Sequence, residues 1–119
     1  MWKVIQTDQF DEWFAHSDNV NEDARVSIYA VVEALRVMGP SLGRQYVNSV
    51  KGSRHENMKE LRVQSQVRPF RIFFAFDLLR QAVLLIGGDK TDDKLFYERM
   101  LPIADTLYDN YLKEFGAMK

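Results

Sequence analysis

Met58-Lys59-Glu60-Leu61-Arg62-Val63-Gln64 and Phe70-Arg71-Ile72-Phe73-Phe74-Ala75-Phe76 decide the fold. Side chains along a strand alternate between its two faces. Leu61 and Val63 therefore share one face of the first stretch, and Glu60, Arg62 and Gln64 share the other. In the second stretch Phe70, Ile72, Phe74 and Phe76 point one way, and Arg71, Phe73 and Ala75 point the other. Gln66 to Pro69 lies between them as a turn, so the two read as a hairpin.

Working outward, Asp77 to Arg80 is a second hairpin loop, and Gln81 to Ile86 is a nearly continuous apolar strand that suits the middle of a sheet. Gly87-Gly88 reads as its end. Upstream, Gln45 to Val50 is a short strand in a connection that runs from Ser41 to Asn57. A helix over Glu22–Met38 is predicted from the stripe Ile28, Val31, Val32, Leu35 and Met38, with Asn21 as its cap and Gly39-Pro40 as its stop. Asp8 to His16 is a shorter helix carrying Phe10, Trp13 and Phe14 on one face, capped by Thr7 or Asp8. Trp2 to Gln6 is β-prone. The last segment starts near Thr91, and from Phe96 apolar residues recur at helical spacing through Leu112. Pro102 is expected to kink or divide that helix, and Gly116 to stop it. The order implies one α+β domain over residues 1–119: N-terminal helices on a small twisted antiparallel sheet, then a C-terminal helix.

At 119 residues the chain is one domain's worth, and its 46% hydrophobic and 28% charged residues are those of an ordinary globular protein. Without cysteine it has no disulfide, thiolate metal site or cysteine nucleophile, which fits a reducing cytoplasm. No apolar run nears the roughly 20 residues that a membrane helix needs. The opening residues show no signal-peptide pattern. Two histidines, His16 and His55, make a metal site unexpected; His16 sits at a helix end and His55 reads as solvent-facing. The net charge of −1 is unevenly spread. Residues 1–40 hold three basic against seven acidic residues, residues 41–90 nine against four, and residues 91–119 four against six. The middle block is thus basic between acidic flanks, and a local basic patch can bind phosphates whatever the total charge. A solvated sheet face with scattered counter-charges is the plainer alternative.

Within that block, hairpin pairing would bring Arg62 and Arg71 together. Like charges placed together cost stability unless an anion joins them. An RNA phosphate is one such anion and an acidic partner segment another; an arginine pair satisfied by Glu60 and neighbouring carboxylates is equally open. Phe73 offers an aromatic surface on the arginine face, where a base could stack. Lys90 leaves the last strand, and Tyr97 follows about two helical turns on.

Gly39-Pro40-Ser41-Leu42-Gly43-Arg44, Asn57-Met58-Lys59-Glu60-Leu61-Arg62, Arg71-Ile72-Phe73-Phe74-Ala75-Phe76-Asp77, Leu85-Ile86-Gly87-Gly88-Asp89-Lys90 and Tyr97-Glu98-Arg99-Met100-Leu101-Pro102-Ile103-Ala104-Asp105 occur in this order. Together they resemble HigB-type toxins of the RelE/ParE superfamily, in its Gp49-like branch. The resemblance implies the toxin of a type II toxin–antitoxin system. The expected activity is ribosome-dependent, metal-independent mRNA cleavage that inhibits translation, with no cofactor. The alternatives are a gyrase-inhibiting ParE-like toxin and a degenerate antitoxin-binding regulatory domain. It also implies a cognate helix-turn-helix antitoxin, the ribosome and mRNA as partners, no membrane, and a cytoplasmic location. In that reading Arg62 and Arg71 clamp the phosphate, Lys90 supplies charge or the acid, and Tyr97 stacks on a base or orients the nucleophile. Glu60 is the candidate base, favoured over Lys59 because it shares the arginine face. Lys51, Arg54, Lys59, Arg68 and Phe73 are the candidate RNA contacts. The departures from the family are a slightly acidic total charge and a catalytic face rich in arginine, which is a poor general base.

Overall fold

The computed structural model describes residues 1–115. Its elements, in chain order, are β1 (Lys3–Gln6), α1 (Asp8–Ala15), α2 (Glu22–Met38), a 3-10 turn (Gly39–Leu42), β2 (Val47–Ser49), β3 (Met58–Ser65), β4 (Arg68–Phe76), β5 (Gln81–Asp89) and α3 (Phe96–Glu114). The five strands form one sheet in the order β1-β5-β4-β3-β2. The sheet is mixed rather than antiparallel, because β1 lies parallel to β5, with Lys3 opposite Gln81 and Gln6 opposite Leu84. That pairing joins residues nearly eighty positions apart, and no local periodicity encodes it. The other pairs are antiparallel.

Both faces of the sheet are covered. Leu61, Val63, Phe70, Ile72, Phe74, Ala82 and Leu84 pack with Phe10, Val20, Ala24, Ile28 and Leu35, beneath α1 and α2. Met58, Phe73, Ala75, Val83 and Leu85 pack with Phe96, Met100, Leu101, Ala104, Leu107, Tyr108 and Tyr111, beneath α3. The alternation of β4 follows the sequence pattern. Thr7 caps α1 by accepting from the Phe10 N–H, and Asn21 caps α2 by accepting from the Ala24 N–H. Gly39 ends α2 at a positive φ of 55°, and the Trp2 indole lies where its side chain would be.

Several expectations near the site are corrected. Gly87 and Gly88 do not end β5; they lie inside it, in register with Ile72 and Arg71. A Cβ on Gly87 would fall 2.4 Å from the Trp13 ring, and one on Gly88 would fall 2.8 Å from Phe96. The two glycines therefore admit an aromatic ring onto each face of the strand. α3 starts at Phe96, where the helical spacing begins, and Pro102 does not divide it in two. Pro102 is exposed, so the carbonyl that it leaves without a partner can turn to water. The short strand in the 41–57 connection spans only Val47–Ser49. Gly116 lies outside the described residues.

Candidate functional site

The β3–β4 loop is only Gln66-Val67, because Ser65 already pairs with Arg68. Gln66 takes a left-handed conformation (φ 54°), which lets the chain reverse within two residues. This fixes the register and sets Arg62 directly opposite Arg71. On the other side of β4, Arg71 pairs with Gly88. The register between β4 and β5 shifts at Phe73/Phe74, so that Phe73 faces Ile86 and Phe74 faces Leu84. Leu85 is the extra residue of this bulge. It turns the side-chain phase of β5, which puts Gly88 on the α3 side beside Arg71.

Glu60 is one step down the same face, and its side chain is only 5% exposed. Tyr97, in the first turn of α3, donates its hydroxyl to Glu60 Oε1 at 2.6 Å. Arg62 Nε donates to Glu60 Oε2 at 3.2 Å. Arg71 Nε lies 3.7 Å from Glu60 Oε1, and among the described residues that nitrogen is buried without a hydrogen bond, while Arg71 Nη1 donates to the Phe70 carbonyl at 3.0 Å. Lys90 Nζ lies 5.9 Å from the centre of the Tyr97 ring. Its backbone N–H is pinned to the Pro69 carbonyl at 2.8 Å, and the Asp89 carboxylate holds the following turn through Thr91. Burial first, and then the bond to Glu60, hold the Tyr97 phenol above its ordinary value against the opposing pull of Arg71, so it is a proton donor at neutral pH.

Glu60, Arg62, Arg71, Lys90 and Tyr97 thus come together, with two arginines on one carboxylate and Lys90 beside the Tyr97 ring. The two arginines differ: the Arg62 side chain is 46% exposed and that of Arg71 13%. The cluster can present an exposed guanidinium and an ammonium to an anion without first moving its buried parts, the Tyr97 hydroxyl staying on Glu60.

The other five candidates lie elsewhere. Phe73 is fully buried between Phe96 and Tyr97, with ring centres 6.0 and 6.1 Å away, so it offers no surface for a base. The alternation placed it on the arginine face, but α3 covers that part of the face. Lys59 lies on the opposite face and donates to Ser49 Oγ at 3.2 Å. Arg68 lies with Phe70, 5.1 Å above its ring, and donates to Asp89 at 2.8 Å. Arg54 forks onto both oxygens of Asp109 in the C-terminal half of α3. Lys51 is exposed in the loop after β2. His55 is not simply solvent-facing: it packs edge-on against Tyr108, and its Nε2 lies 2.7 Å from Asp109. Sequence reasoning missed Gly88 as a site residue, although paired glycines at the end of an apolar strand also signal a close approach.

The family model described as "Phage derived protein Gp49-like (DUF891)" matches residues 15–109. The chain is 43% identical over 110 residues to the Mycobacterium tuberculosis protein named "Putative toxin HigB3", covering 92% of each. It is also 43% identical over 94 residues to "Putative toxin HigB2" of the same organism, covering 77% of this chain and 47% of that protein. No solved structure matches it. The match across most of its length makes this chain a member of the Gp49-like family, together with relatives that carry the HigB name.

Proposed function

We propose that this protein is the toxin of a type II toxin–antitoxin pair, and that it cleaves mRNA bound to the ribosome. The relatives' names support the first part. The observation that carries the second is the half-exposed Arg62 guanidinium, in a cluster with two positive charges beyond those Glu60 neutralises. In RNA cleavage of this class a ribose 2′-oxygen bonds to the adjacent phosphorus and the 5′-oxygen leaves. The phosphorus centre gains negative charge on the way. Donors already aimed at that charge lower the barrier without reorganising. Arg62 fits this role because its planar fork can hold two phosphate oxygens and stays charged. Lys90 adds a second cation and can return a proton to the leaving oxygen. The ribosome would supply the alignment of the RNA strand. A cognate helix-turn-helix antitoxin is the expected partner.

The test is to induce the chain from a tightly controlled promoter and map the 5′ ends of cellular mRNA. New 5′-hydroxyl ends confined to translated frames are expected, and Arg62→Ala should abolish them. Growth arrest with intact mRNA would overturn the nuclease reading in favour of a protein target such as gyrase. Absence of arrest would overturn the toxin reading itself.

A further inference from the structure

The nuclease reading leaves one proton without a destination. The attacking 2′-hydroxyl must lose it, and Glu60 is the only carboxylate in the cluster. Yet both Glu60 oxygens are engaged, Oε1 by the Tyr97 hydroxyl and Oε2 by Arg62 Nε. The side chain is also almost wholly enclosed, at 5% exposure. A general base must come within hydrogen-bond reach of the proton that it removes. For Glu60 to do so, the substrate would have to enter beneath Arg62.

The cross-strand register suggests another role. Arg62 and Arg71 are directly opposed on one face, an arrangement that repels unless an anion lies between them. Glu60 is that anion. It stands two residues from Arg62 along β3 and diagonal to Arg71 across the pair. Arg71 is the buried partner, and among the described residues its Nε has no other acceptor. Arg62 is the exposed partner, tied to Glu60 through Nε only, which leaves its terminal nitrogens available.

We infer that Glu60 is a positioning residue, an internal counter-anion that fixes Arg71 and the Tyr97 hydroxyl and competes with the substrate phosphate for Arg62. The two arginines then divide the work: Arg71 stays with Glu60, and Arg62 turns to the phosphodiester. When Arg62 turns, Glu60 keeps Arg71 and Tyr97, so its buried charge is never left alone. The assignment rests on the phosphate reading of the cluster, and it gives the 2′-hydroxyl proton to solvent water rather than to Glu60.

The experiment follows the arginine Nε–H signals of the ¹⁵N-labelled protein by NMR during titration with inorganic phosphate, for wild type and Glu60→Gln. Phosphate is expected to move the Arg62 signal and leave that of Arg71 in place. Glu60→Gln should bind phosphate more tightly, because the competing charge is gone. In the cleavage assay Glu60→Gln should lose no more than ~10-fold and keep the acid limb of the pH–rate profile, whereas losing a general base costs ~100-fold or more and removes that limb. Weaker phosphate binding by Glu60→Gln, an Arg71 signal that moves with that of Arg62, or loss of the acid limb would each overturn the inference. The wild-type titration needs no variant, so it decides even if Glu60→Gln fails to fold. If wild type cleaves no RNA, the nuclease reading falls, and the titration still decides whether Glu60 and phosphate compete for Arg62.

Discussion

α3 carries a tyrosine–carboxylate bond at each end, and the two bonds have the same length. Tyr97 donates to Glu60 at 2.6 Å and Tyr111 donates to Asp77 at 2.6 Å, about 21 Å apart along the helix. Their surroundings differ. Asp77 is filled by neutral donors: the Leu79 and Gln81 backbone N–H groups, the Gln81 side chain and Tyr111. Nearby, Arg54 and His55 are both taken by Asp109. That end is a closed account of donors and acceptors, with a cleft of about 250 Å³ lined by His55, Tyr108, Tyr111 and Leu79 among others. At the Tyr97 end two arginines meet one carboxylate, Lys90 lies beside the ring, and one guanidinium faces solvent. A tyrosine on a carboxylate is therefore a structural staple by default. Surplus charge beside it is what makes the Tyr97 end the candidate site.

The largest break in this comparison should come from Arg62→Ala. Losing one aimed donor costs about 10²–10³ in rate. The exposed side chain supports little packing but donates to the buried Glu60 Oε2, so the thermal midpoint should fall modestly, and less than for Arg71→Ala. Arg71→Ala should behave differently, since it strips a buried carboxylate of its enclosed partner and lowers stability as well as activity. Measured side by side, cleavage rates and thermal melts should separate the two arginines. Equal losses of stability would erase the distinction drawn from their burial.

Next in size are the paired glycines. A methyl on Gly87 meets Trp13 and one on Gly88 meets Phe96, so each should cost about 1–3 kcal/mol through overpacking. Only Gly88→Ala displaces Phe96, the neighbour of Tyr97. It should lose cleavage beyond its loss of stability, whereas Gly87→Ala should lose stability alone. Denaturant unfolding paired with activity at a temperature where both variants are folded checks this.

These glycines also show where sequence reading stops. The faces of β3 and β4 were legible because period-two alternation needs only neighbours along the chain. The Arg62–Arg71 encounter was legible because a short turn ties two adjacent strands into register. Gly87-Gly88 was misread because its meaning lies in Trp13 and Phe96, which reach it from α1 and α3 through space. The bulge at Phe73/Phe74, the parallel β1 and the burial of Phe73 share that cause. Basic residues were legible as a block but not by face. Lys59 and Arg68 belong to the α1–α2 side, and Arg54 is held at the far end of α3.

The smallest effects should come from the closed end. Tyr111→Phe removes one partly buried hydrogen bond, worth about 1 kcal/mol, and should leave cleavage unchanged. Its pH dependence is the sharper test. Burial pushes the Asp77 carboxyl up, but Tyr111, Gln81 and the two backbone N–H groups outweigh it and hold it below its ordinary value. A carboxylate lowered in the folded state stabilises the fold above its unfolded value near ~3.9, and that stability is lost as pH falls through the folded value. Without the Tyr111 donor the folded value moves back toward the unfolded one, so the variant has less to lose in acid. The difference in unfolding free energy between wild type and Tyr111→Phe should therefore be constant near neutrality and shrink below ~pH 4, as read by urea titrations at several pH values. A difference that holds steady into acid would mean that the other donors alone set Asp77, and that the tyrosine at this end contributes packing rather than the bond it shares with Tyr97.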